Sequence, residues 1–247
     1  MGTSDSIKNI CQSLKDLGYT EAGDKILEAI NGSKDDPLAV VCLALDTVVT
    51  TERNAKYEKC LRISKIGDPV FYQDLLKYKA RQLDLEYLDH LADLSFVEEG
   101  KNLVIWGAPG TGKTWMGKAI ATKACQNGTR TRWITYPFLC RELMRLKGED
   151  SQRLEARIRY YCGFDLLCID EFPNYDIEDK FLMQEFFNQA KLAGHSTIVC
   201  GQCSPENWDS LFEVKSFAQS IRGRLLEHAY RLELKGPDLR TYNPEDK

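Results

Sequence analysis

Residues 107–114 of this chain, with the sequence GAPGTGKT, match the pattern G-x-x-x-x-G-K-[ST] at every fixed position. In such a run the glycines let successive backbone N–H groups turn inward and hold phosphate oxygens. The lysine reaches the β- and γ-phosphates of a nucleoside triphosphate, and the final hydroxyl binds Mg²⁺. We therefore expect ATP and Mg²⁺ to bind here, through Gly107, Ala108, Pro109, Gly110, Thr111, Gly112, Lys113, Thr114 and Trp115.

The segments on either side of this loop have the character that phosphate binding requires. The apolar residues 103–106 predict a buried strand, and residues 115–127 predict a helix that stops at Gly128. The N-terminus of that helix would direct its positive dipole end at the phosphates. A glycine-rich turn that binds no nucleotide is the alternative, and the strand–loop–helix order argues against it.

Two acidic side chains, Asp170 and Glu171, end another apolar segment that predicts a strand. In a parallel sheet they would lie at the same edge as the phosphate loop. Asp170 is then a candidate Mg²⁺ ligand together with Thr114, and Glu171 a candidate to orient and polarise the water that attacks the γ-phosphate. Helix capping by the acid pair is the alternative, but the position of Asp170, 57 residues after Lys113 with one strand between them, favours the catalytic interpretation.

Two further positions carry polar side chains suited to ATP hydrolysis. Gln202 follows the strand predicted at 196–201, where it can hydrogen-bond the attacking water or the γ-phosphate; the alternative is a strand end that faces solvent. Arg222 and Arg224 precede the last predicted strand. An arginine there can enter the site of a neighbouring subunit and neutralise transition-state charge, or instead pair with Glu213 or Glu227 in its own chain.

The order of strands and helices after residue 101 predicts an α/β domain. We expect strands at about 102–106, 131–135, 165–170, 196–201 and 229–234, and helices at about 113–127, 137–147 and 176–193, with two short ones across 205–227. Such alternation produces a five-stranded parallel sheet with helices on both faces.

The first 95 or so residues predict helices instead of strands. Apolar spacing favours helices near residues 7–17, 22–30, 37–66 and 83–94, the third of them started by Asp35 and Asp36 before Pro37. We expect a small all-α N-terminal domain at residues 1–82, an ATPase domain at 83–235 and a frayed tail at 236–247.

The net charge of −4 is unevenly distributed along the chain. Residues 1–99 hold 12 basic and 18 acidic residues, whereas residues 118–160 hold ten basic and four acidic ones. A basic segment in an acidic chain predicts contact with a polyanion, and we expect the phosphates of double-stranded DNA to meet Arg130, Arg132, Arg141 and Arg145. The alternatives are a solvated face that forms ion pairs, or a DNA surface on the helix at residues 53–62.

Nine cysteines, scattered mostly within apolar segments, predict reduced thiols and a cytoplasmic protein. Cys200 and Cys203 form a C-x-x-C pair, but no second Cys/His pair lies near them, so metal or redox use is the weaker alternative. No apolar run reaches the roughly 18 residues that span a bilayer, and the first residues lack the pattern of a signal peptide. We therefore expect no membrane contact.

Four segments carry a likeness to a known family. They are residues 14–22 (LKDLGYTEA), 96–114 (FVEEGKNLVIWGAPGTGKT), 196–208 (STIVCGQCSPENW) and 223–236 (GRLLEHAYRLELKG). Together they resemble the IstB-type helper ATPases of bacterial insertion sequences, which are AAA+ ATPases related to the DnaC-type helicase loaders. The resemblance covers nearly the whole chain and implies an AAA+ P-loop domain without a C-terminal lid domain.

This resemblance also implies roles and partners. It makes Gln202 the sensor residue and Arg224 the arginine finger that acts on a neighbouring subunit. It further implies ATP-dependent self-association into an oligomer on DNA, and a partner transposase that the chain assists in transposition. A DnaC-like helicase loader is the main alternative function; a nucleotide-gated DNA-binding scaffold and a small-molecule kinase fit the residues less well.

Overall fold

The computed structural model describes residues 3–16, 18–32, 37–76, 84–173, 180–210, 212 and 215–241. The chain forms two compact units, Met1–Tyr57 and Glu58–Lys247. The domain boundary expected between residues 82 and 83 lies within 77–83, outside the described residues, and stays a prediction.

The N-terminal unit is helical, as the apolar spacing predicts. It contains α1 (Thr3–Asp16), α2 (Thr20–Gly32) and the beginning of α3 (Pro37–Ser64). A small core of buried side chains holds these helices together: Cys11, Leu14, Ile26 and Val41. The acidic pair expected to start α3 lies outside the described residues.

The larger unit begins with the end of α3, followed by three short helices, and continues as alternating strands and helices. The short helices are α4 (Tyr72–Leu76), α5 (Leu85–Ala92) and α6 (Ser95–Glu98). The elements that follow are β1 (Leu103–Gly107), α7 (Lys113–Gln126), β2 (Thr131–Thr135), α8 (Tyr136–Glu149), α9 (Ser151–Cys162), β3 (Leu166–Asp170), α10 (Lys180–Leu192), β4 (Ser196–Gly201), a 3-10 helix (Pro205–Ser210), α11 (Lys215–Leu225) and β5 (Tyr230–Leu234).

The five strands form one parallel sheet in the order β2-β3-β4-β1-β5, which confirms the expected α/β fold. The interior strands β3, β4 and β1 are almost wholly buried, because helices cover both faces of such a sheet. Trp106 of β1 lies opposite Gly201 of β4, so these strands end at the same level. This shared edge carries the residues that follow each strand, where α/β sheets bind ligands.

Three helices of this unit were not expected from the sequence: the short α4 and α6, and the 12-residue α9. We expected no helix between residues 147 and 165, yet α9 occupies Ser151–Cys162. Asp150 caps it, since its carboxylate accepts hydrogen bonds from the N–H groups of Gln152 and Arg153. The cap and the buried Ile158 and Tyr161 one helical turn apart were visible signals, hidden among many charged residues.

The described residues hold neither a membrane span nor a metal cluster. None of their helices combines the length and the apolar character needed to cross a membrane. None of their His, Cys, Asp and Glu side chains form a group of three or more that could hold a metal ion. All nine cysteines are free thiols, with Cys200 buried inside β4.

Candidate nucleotide-binding and hydrolysis site

The loop between β1 and α7 has the backbone shape that its glycines were expected to allow. Gly112 has a φ of 90° and stands as the residue before the first turn of α7. Gly110 has a φ of 77°. Residues with a side chain rarely adopt these left-handed conformations, so both positions favour glycine. The loop therefore delivers the N-terminus of a 14-residue helix, with its free N–H groups and positive dipole end, to the carboxyl edge of the sheet.

The Lys113 side chain folds back along the loop. Its Nζ atom donates hydrogen bonds to the carbonyl oxygens of Gly107, at 2.9 Å, and Ala108, at 2.7 Å. Burial lowers the pKa of this amino group below its ordinary value, and the nearby Asp170 charge partly opposes that shift. A partly buried ammonium group beside the loop is ready to exchange carbonyl partners for phosphate oxygens, to which it binds more strongly.

The two expected Mg²⁺ ligands touch each other directly. The Thr114 hydroxyl, in the first turn of α7, donates a 2.9 Å hydrogen bond to Oδ2 of Asp170, at the end of β3. Asp170 is only 7 % exposed, and burial raises the pKa of its carboxyl, an effect that the Thr114 hydrogen bond partly opposes. A hydroxyl and a carboxylate side by side are the oxygen donors that Mg²⁺ prefers, so these residues fit the ion.

Glu171 stands out from the sheet because its neighbours are fixed. The next residue, Phe172, is 1 % exposed, packs edge-on against other aromatic rings, and donates its N–H to the Cys200 carbonyl at 2.8 Å. Glu171 has a φ of 59°, an uncommon conformation for a residue with a side chain, and it is exposed. The chain therefore turns Glu171 outward while its neighbours stay in place.

One cleft of about 420 Å³ collects the residues expected to act on the nucleotide. Gln202, which directly follows β4, is exposed on its wall. The residues that line this cleft include Pro109, Gly110, Lys113, Thr114, Asp170, Glu171, Gln202 and Arg240. The structure thus brings together the loop, the acid pair and Gln202 from three separate segments.

Arg240 is a candidate site residue that sequence reasoning missed. We expected residues 236–247 to be a frayed tail, but the described residues 236–241 lie against the phosphate loop. The N–H of Leu239 donates to the Gly110 carbonyl at 3.0 Å. Asp238 holds the Arg240 guanidinium through hydrogen bonds of 2.9 Å and 2.6 Å, which lower the pKa of Asp238 to about 2. A turn sequence, Gly236-Pro237, was the one visible hint that the chain folds back here.

The expected arginine finger lies away from this cleft. The Arg224 guanidinium donates to Oδ1 of Asn188, at 3.2 and 3.3 Å, and to the Ser220 carbonyl, at 2.9 Å. Its backbone carbonyl accepts a hydrogen bond from Asn102, the residue before β1. Arg224 therefore sits at the amino edge of the sheet, opposite the phosphate loop, and its own chain does not bring it to the acid pair.

The alternative was that Arg222 or Arg224 forms an ion pair with Glu213 or Glu227, and the described residues pair differently. Arg222 pairs with Asp209 at 3.2 Å, and Glu227 pairs with Lys191. Glu213, the other proposed partner, lies outside the described residues. Arg224 is thus held by neutral groups among the described residues, whereas Arg222 is neutralised by a carboxylate.

The structure corrects the expectation for Arg132 in the basic segment. Its guanidinium packs 5.8 Å and 5.9 Å from the ring centres of Tyr160 and Tyr161 and donates to the Ile63 carbonyl at 3.1 Å. Its Nε atom is buried without a hydrogen-bond partner. Arg132 is half-buried and its guanidinium is engaged in these contacts, which makes it poorly suited to a DNA phosphate.

Other arginines of the segment pair with acids nearby in sequence. Arg145 binds Glu149 at 2.7 Å, and Arg159 binds Glu155 at 3.5 Å, each one helical turn away. Arg157 reaches Glu142 at 3.4 Å. These pairs match the ion-pair alternative, although the acids come from the segment itself. Arg130 remains exposed, over the Phe164 ring.

Comparison with known proteins agrees with this geometry. The family described as IstB-like ATP binding protein matches residues 31–246. An insertion sequence ATP-binding protein of Sinorhizobium fredii is 25% identical over 233 residues, which cover 92% of each chain. The insertion sequence IS232 ATP-binding protein of Bacillus thuringiensis is 32% identical over 157 residues, or 63% of this chain and 61% of that protein.

Two solved structures share the fold. The DnaC helicase loader has a TM-score of 0.52 at 17% identity, covering 72% of this chain and 99% of that chain. DnaI has a TM-score of 0.51 at 23% identity, covering 61% and 81%. At these identities the likeness shows the fold alone, and it agrees with the expected α/β fold of this domain. Since the family match spans most of the chain, including the whole phosphate loop and both acids, the chain belongs to the IstB-like ATP-binding protein family.

Proposed function

We propose that this protein is a Mg²⁺-dependent ATPase that assembles on double-stranded DNA in the cytoplasm and assists a partner transposase. The observation that carries the proposal is the single cleft that joins Lys113, Thr114, Asp170, Glu171 and Gln202. Nucleotide binding alone would require only the phosphate loop. Hydrolysis also requires an exposed carboxylate beside the pair of metal ligands.

Each residue has a role that follows from its position. Lys113 binds the β- and γ-phosphates, while Thr114 and Asp170 hold Mg²⁺, which when bound neutralises the charge on the phosphate oxygens. Glu171 orients and polarises the attacking water, and its outward conformation keeps the carboxylate out of the Thr114–Asp170 contact. Gln202 hydrogen-bonds the γ-phosphate or that water from the neighbouring strand.

Arg240 adds a second cation to the lining of the cleft. Its guanidinium is exposed, and only Asp238 neutralises it among the described residues. A triphosphate carries more charge than one carboxylate, so its oxygens can replace Asp238 as the acceptors of charge-assisted hydrogen bonds from the guanidinium. Arg240 therefore supplements Lys113 once nucleotide is bound.

Self-association supplies the remaining cation. Arg224 lies at the sheet edge opposite the phosphate loop of its own chain. Its hydrogen-bond partners Asn188 and Ser220 are neutral, so they do not offset the charge of the guanidinium. A second subunit stacked on that edge would receive Arg224 in its cleft, where an arginine finger speeds hydrolysis about 10³–10⁵-fold.

DNA contact, in this proposal, lies on the surface around Cys60. Lys59 and Arg62 are exposed on one face of α3. The charges of Lys59, Asp165 and Arg130 all lie close enough to Cys60 to affect its pKa, so one carboxylate stands among the cations of this surface. Among the described residues, no acidic side chain forms an ion pair with Lys59, Arg62 or Arg130. This choice replaces Arg132 and Arg145, which the structure commits to other contacts.

The relatives favour a transposition helper over a helicase loader. The curated relatives described above are insertion sequence proteins with an ATP-binding name, whereas the likeness to the DnaC loader is one of fold. The buried free thiols agree with a reducing compartment.

The test is ATP hydrolysis by the purified full chain, with and without Mg²⁺ and double-stranded DNA. We expect turnover that needs Mg²⁺ and rises with DNA, and we expect Lys113→Ala to abolish it. The same variant should abolish transposition of an element that otherwise carries this chain and its transposase. Hydrolysis without an effect on transposition would favour the helicase-loader alternative, and no hydrolysis under any condition would refute the ATPase.

A further inference from the structure

A cleft of about 350 Å³ opens at the amino edge of the sheet, on the side opposite the phosphate loop. The segments before β1 and β5, the first residues of β4 and the ends of α10 and α11 form its walls. Two of its lysines pair with acids that line the same cleft, Lys101 with Glu99 at 2.6 Å and Lys191 with Glu227. Arg224 differs from them, because its partners in the part of the chain that the structure describes are neutral.

The Arg224 guanidinium is fixed between two helices by all three of its nitrogen atoms. Nε and Nη2 donate hydrogen bonds to Oδ1 of Asn188 on α10, at 3.3 and 3.2 Å. Nη1 donates to the carbonyl and hydroxyl oxygens of Ser220, one turn earlier on α11. Because a guanidinium only donates hydrogen bonds, the amide of Asn188 must present its oxygen to it. A planar group held through three nitrogens keeps a single orientation.

The backbone that carries Arg224 is held as well. Nδ2 of Asn102 donates to the carbonyl oxygens of Arg224 and Leu225, both at 3.2 Å. Oδ1 of the same amide accepts a 2.8 Å hydrogen bond from the N–H of Thr197, at the start of β4. The end of α11 is therefore tied to the amino edge of the sheet, and the freedom that remains to Arg224 lies in its side chain, which Asn188 and Ser220 restrict.

The neutrality of Asn188 separates Arg224 from a nearby arginine. Arg222, two residues earlier, pairs with the carboxylate of Asp209 at 3.2 Å. A carboxylate at position 188 would form stronger, charge-assisted hydrogen bonds with the guanidinium, but it would also offset the positive charge. The asparagine amide offers an oxygen at the same place without a charge. An arginine that stabilises charge developing on a phosphate depends on both its direction and its uncancelled charge.

We propose that Asn188 is a positioning residue for ATP hydrolysis in a neighbouring copy of this chain: it orients the Arg224 guanidinium and leaves its charge for the neighbour's triphosphate. This proposal rests on the proposed function, because it requires Arg224 to act between subunits. In this arrangement Asn188 contacts neither the nucleotide nor the attacking water. Its substitution should therefore change the rate of hydrolysis and preserve ATP binding, which occurs at the opposite edge of the sheet.

Steady-state hydrolysis and calorimetric ATP titrations of the full chain test this with two variants at one position. Asn188→Asp keeps the oxygen acceptor and adds a charge, so kcat should fall at least ~10-fold, part of the about 10³–10⁵-fold that an arginine finger contributes. Asn188→Ala removes the acceptor, and a misplaced guanidinium should cost up to ~100-fold in kcat. Both variants should keep the wild-type affinity for ATP. Gln189→Glu, which adds the same charge at the next, exposed residue of α10, is the matched control and should hydrolyse ATP normally.

A double variant separates positioning from folding. In the Arg224→Ala background, Asn188→Asp should cause no further loss of turnover, because the group that it acts on is gone; a further loss would overturn the proposal. Wild-type turnover in Asn188→Asp, an equal loss in Gln189→Glu, or weakened ATP binding in both Asn188 variants would also overturn it and leave the ATPase standing. A wild type without hydrolysis, or full turnover in Arg224→Ala, would instead overturn the proposed function.

Discussion

The hydroxyl of Thr114 donates a 2.9 Å hydrogen bond to the carboxylate of Asp170, and this contact joins the phosphate loop to the middle of the sheet. The two residues are 56 positions apart in sequence. In the nucleotide-free protein they partner each other, since each supplies what the other lacks. In the function proposed here, these two oxygens would instead hold Mg²⁺.

Asp170→Asn should make the nucleotide-free protein more stable while abolishing Mg²⁺-dependent hydrolysis. Burial raises the pKa of Asp170, so the folded state takes up a proton more readily than the unfolded chain. Its negative charge therefore costs stability at neutral pH, and the cost disappears as the pH falls through the raised pKa. We expect the variant to have a higher Tm than the wild type at pH 7.

Thermal unfolding followed by circular dichroism at pH 7 and at pH 4 measures this. The difference in Tm between Asp170→Asn and wild type should shrink at pH 4, where the wild-type carboxyl is increasingly protonated. A lower Tm for the variant than for the wild type at pH 7 would contradict the view that the buried charge of Asp170 lowers the stability of the folded protein.

Glu171→Gln should separate binding from hydrolysis. The amide keeps the size of the side chain and loses the charge that polarises water, so we expect ATP affinity to stay and turnover to fall at least ~100-fold. Nucleotide affinity by calorimetry and phosphate release by a coupled assay provide the comparison. Glu155→Gln, which changes an exposed acid on α9, is the control and should leave both the ATP affinity and the turnover unchanged. Near wild-type turnover in Glu171→Gln would remove its assigned role.

Arg224→Ala should lose activity that a second variant can restore. Mixed with Lys113→Ala, it provides the intact clefts while the other variant provides the intact arginines, so mixed assemblies should recover part of the wild-type turnover. Arg222→Ala is the matched control, two residues away and paired with Asp209, and should stay active on its own. No recovery at any mixing ratio, with assembly confirmed by light scattering, would argue against action between subunits.

Lys59→Ala combined with Arg62→Ala should weaken DNA binding at low salt. Loss of two phosphate contacts should reduce the slope of log affinity against log salt by roughly 2. The control changes two arginines already paired with acids, Arg145 and Arg159, to Ala, and it should leave the slope nearly unchanged. The opposite ranking of the two double variants would place the DNA surface on α8 and α9.

Arg240→Ala should weaken ATP binding about 10-fold, the usual size of one lost hydrogen bond to a charged group. Asp238→Asn should have the opposite effect, because it removes the carboxylate that competes with phosphate for the guanidinium. Arg231→Ala, an exposed arginine on β5 paired with Glu206, is the control for charge alone. Equal affinities in the three variants would show that Arg240 does not meet the nucleotide.

The sequence was a good guide wherever the chemistry is local or follows strand order. The loop pattern predicts the strand, the left-handed glycines and the helix, and strand alternation predicts that Asp170 and Gln202 end at the same edge as Gly107. These relationships depend on spacing within a parallel sheet, which one chain reveals. The fold of the larger unit follows from them.

The environment of individual charged side chains could not be predicted in this way. Arg132 and Arg145 look alike in sequence, yet one packs between tyrosines and the other pairs with Glu149. Arg240 seemed to belong to a tail, and its place beside Gly110 depends on a chain reversal after β5. Tertiary packing decides which neighbours a side chain contacts, and counting charges along the sequence does not predict that packing.

The contact of residues 236–241 with the loop has a consequence for nucleotide release in the proposed function. Because the Leu239 N–H is hydrogen-bonded to the Gly110 carbonyl, a nucleotide bound at the loop would leave more readily when this short segment lifts off. Its release would then follow a local opening equilibrium, far less costly than global unfolding. Hydrogen exchange at the Leu239 amide would report that opening, and a protein that captured the segment would act as a nucleotide-exchange factor.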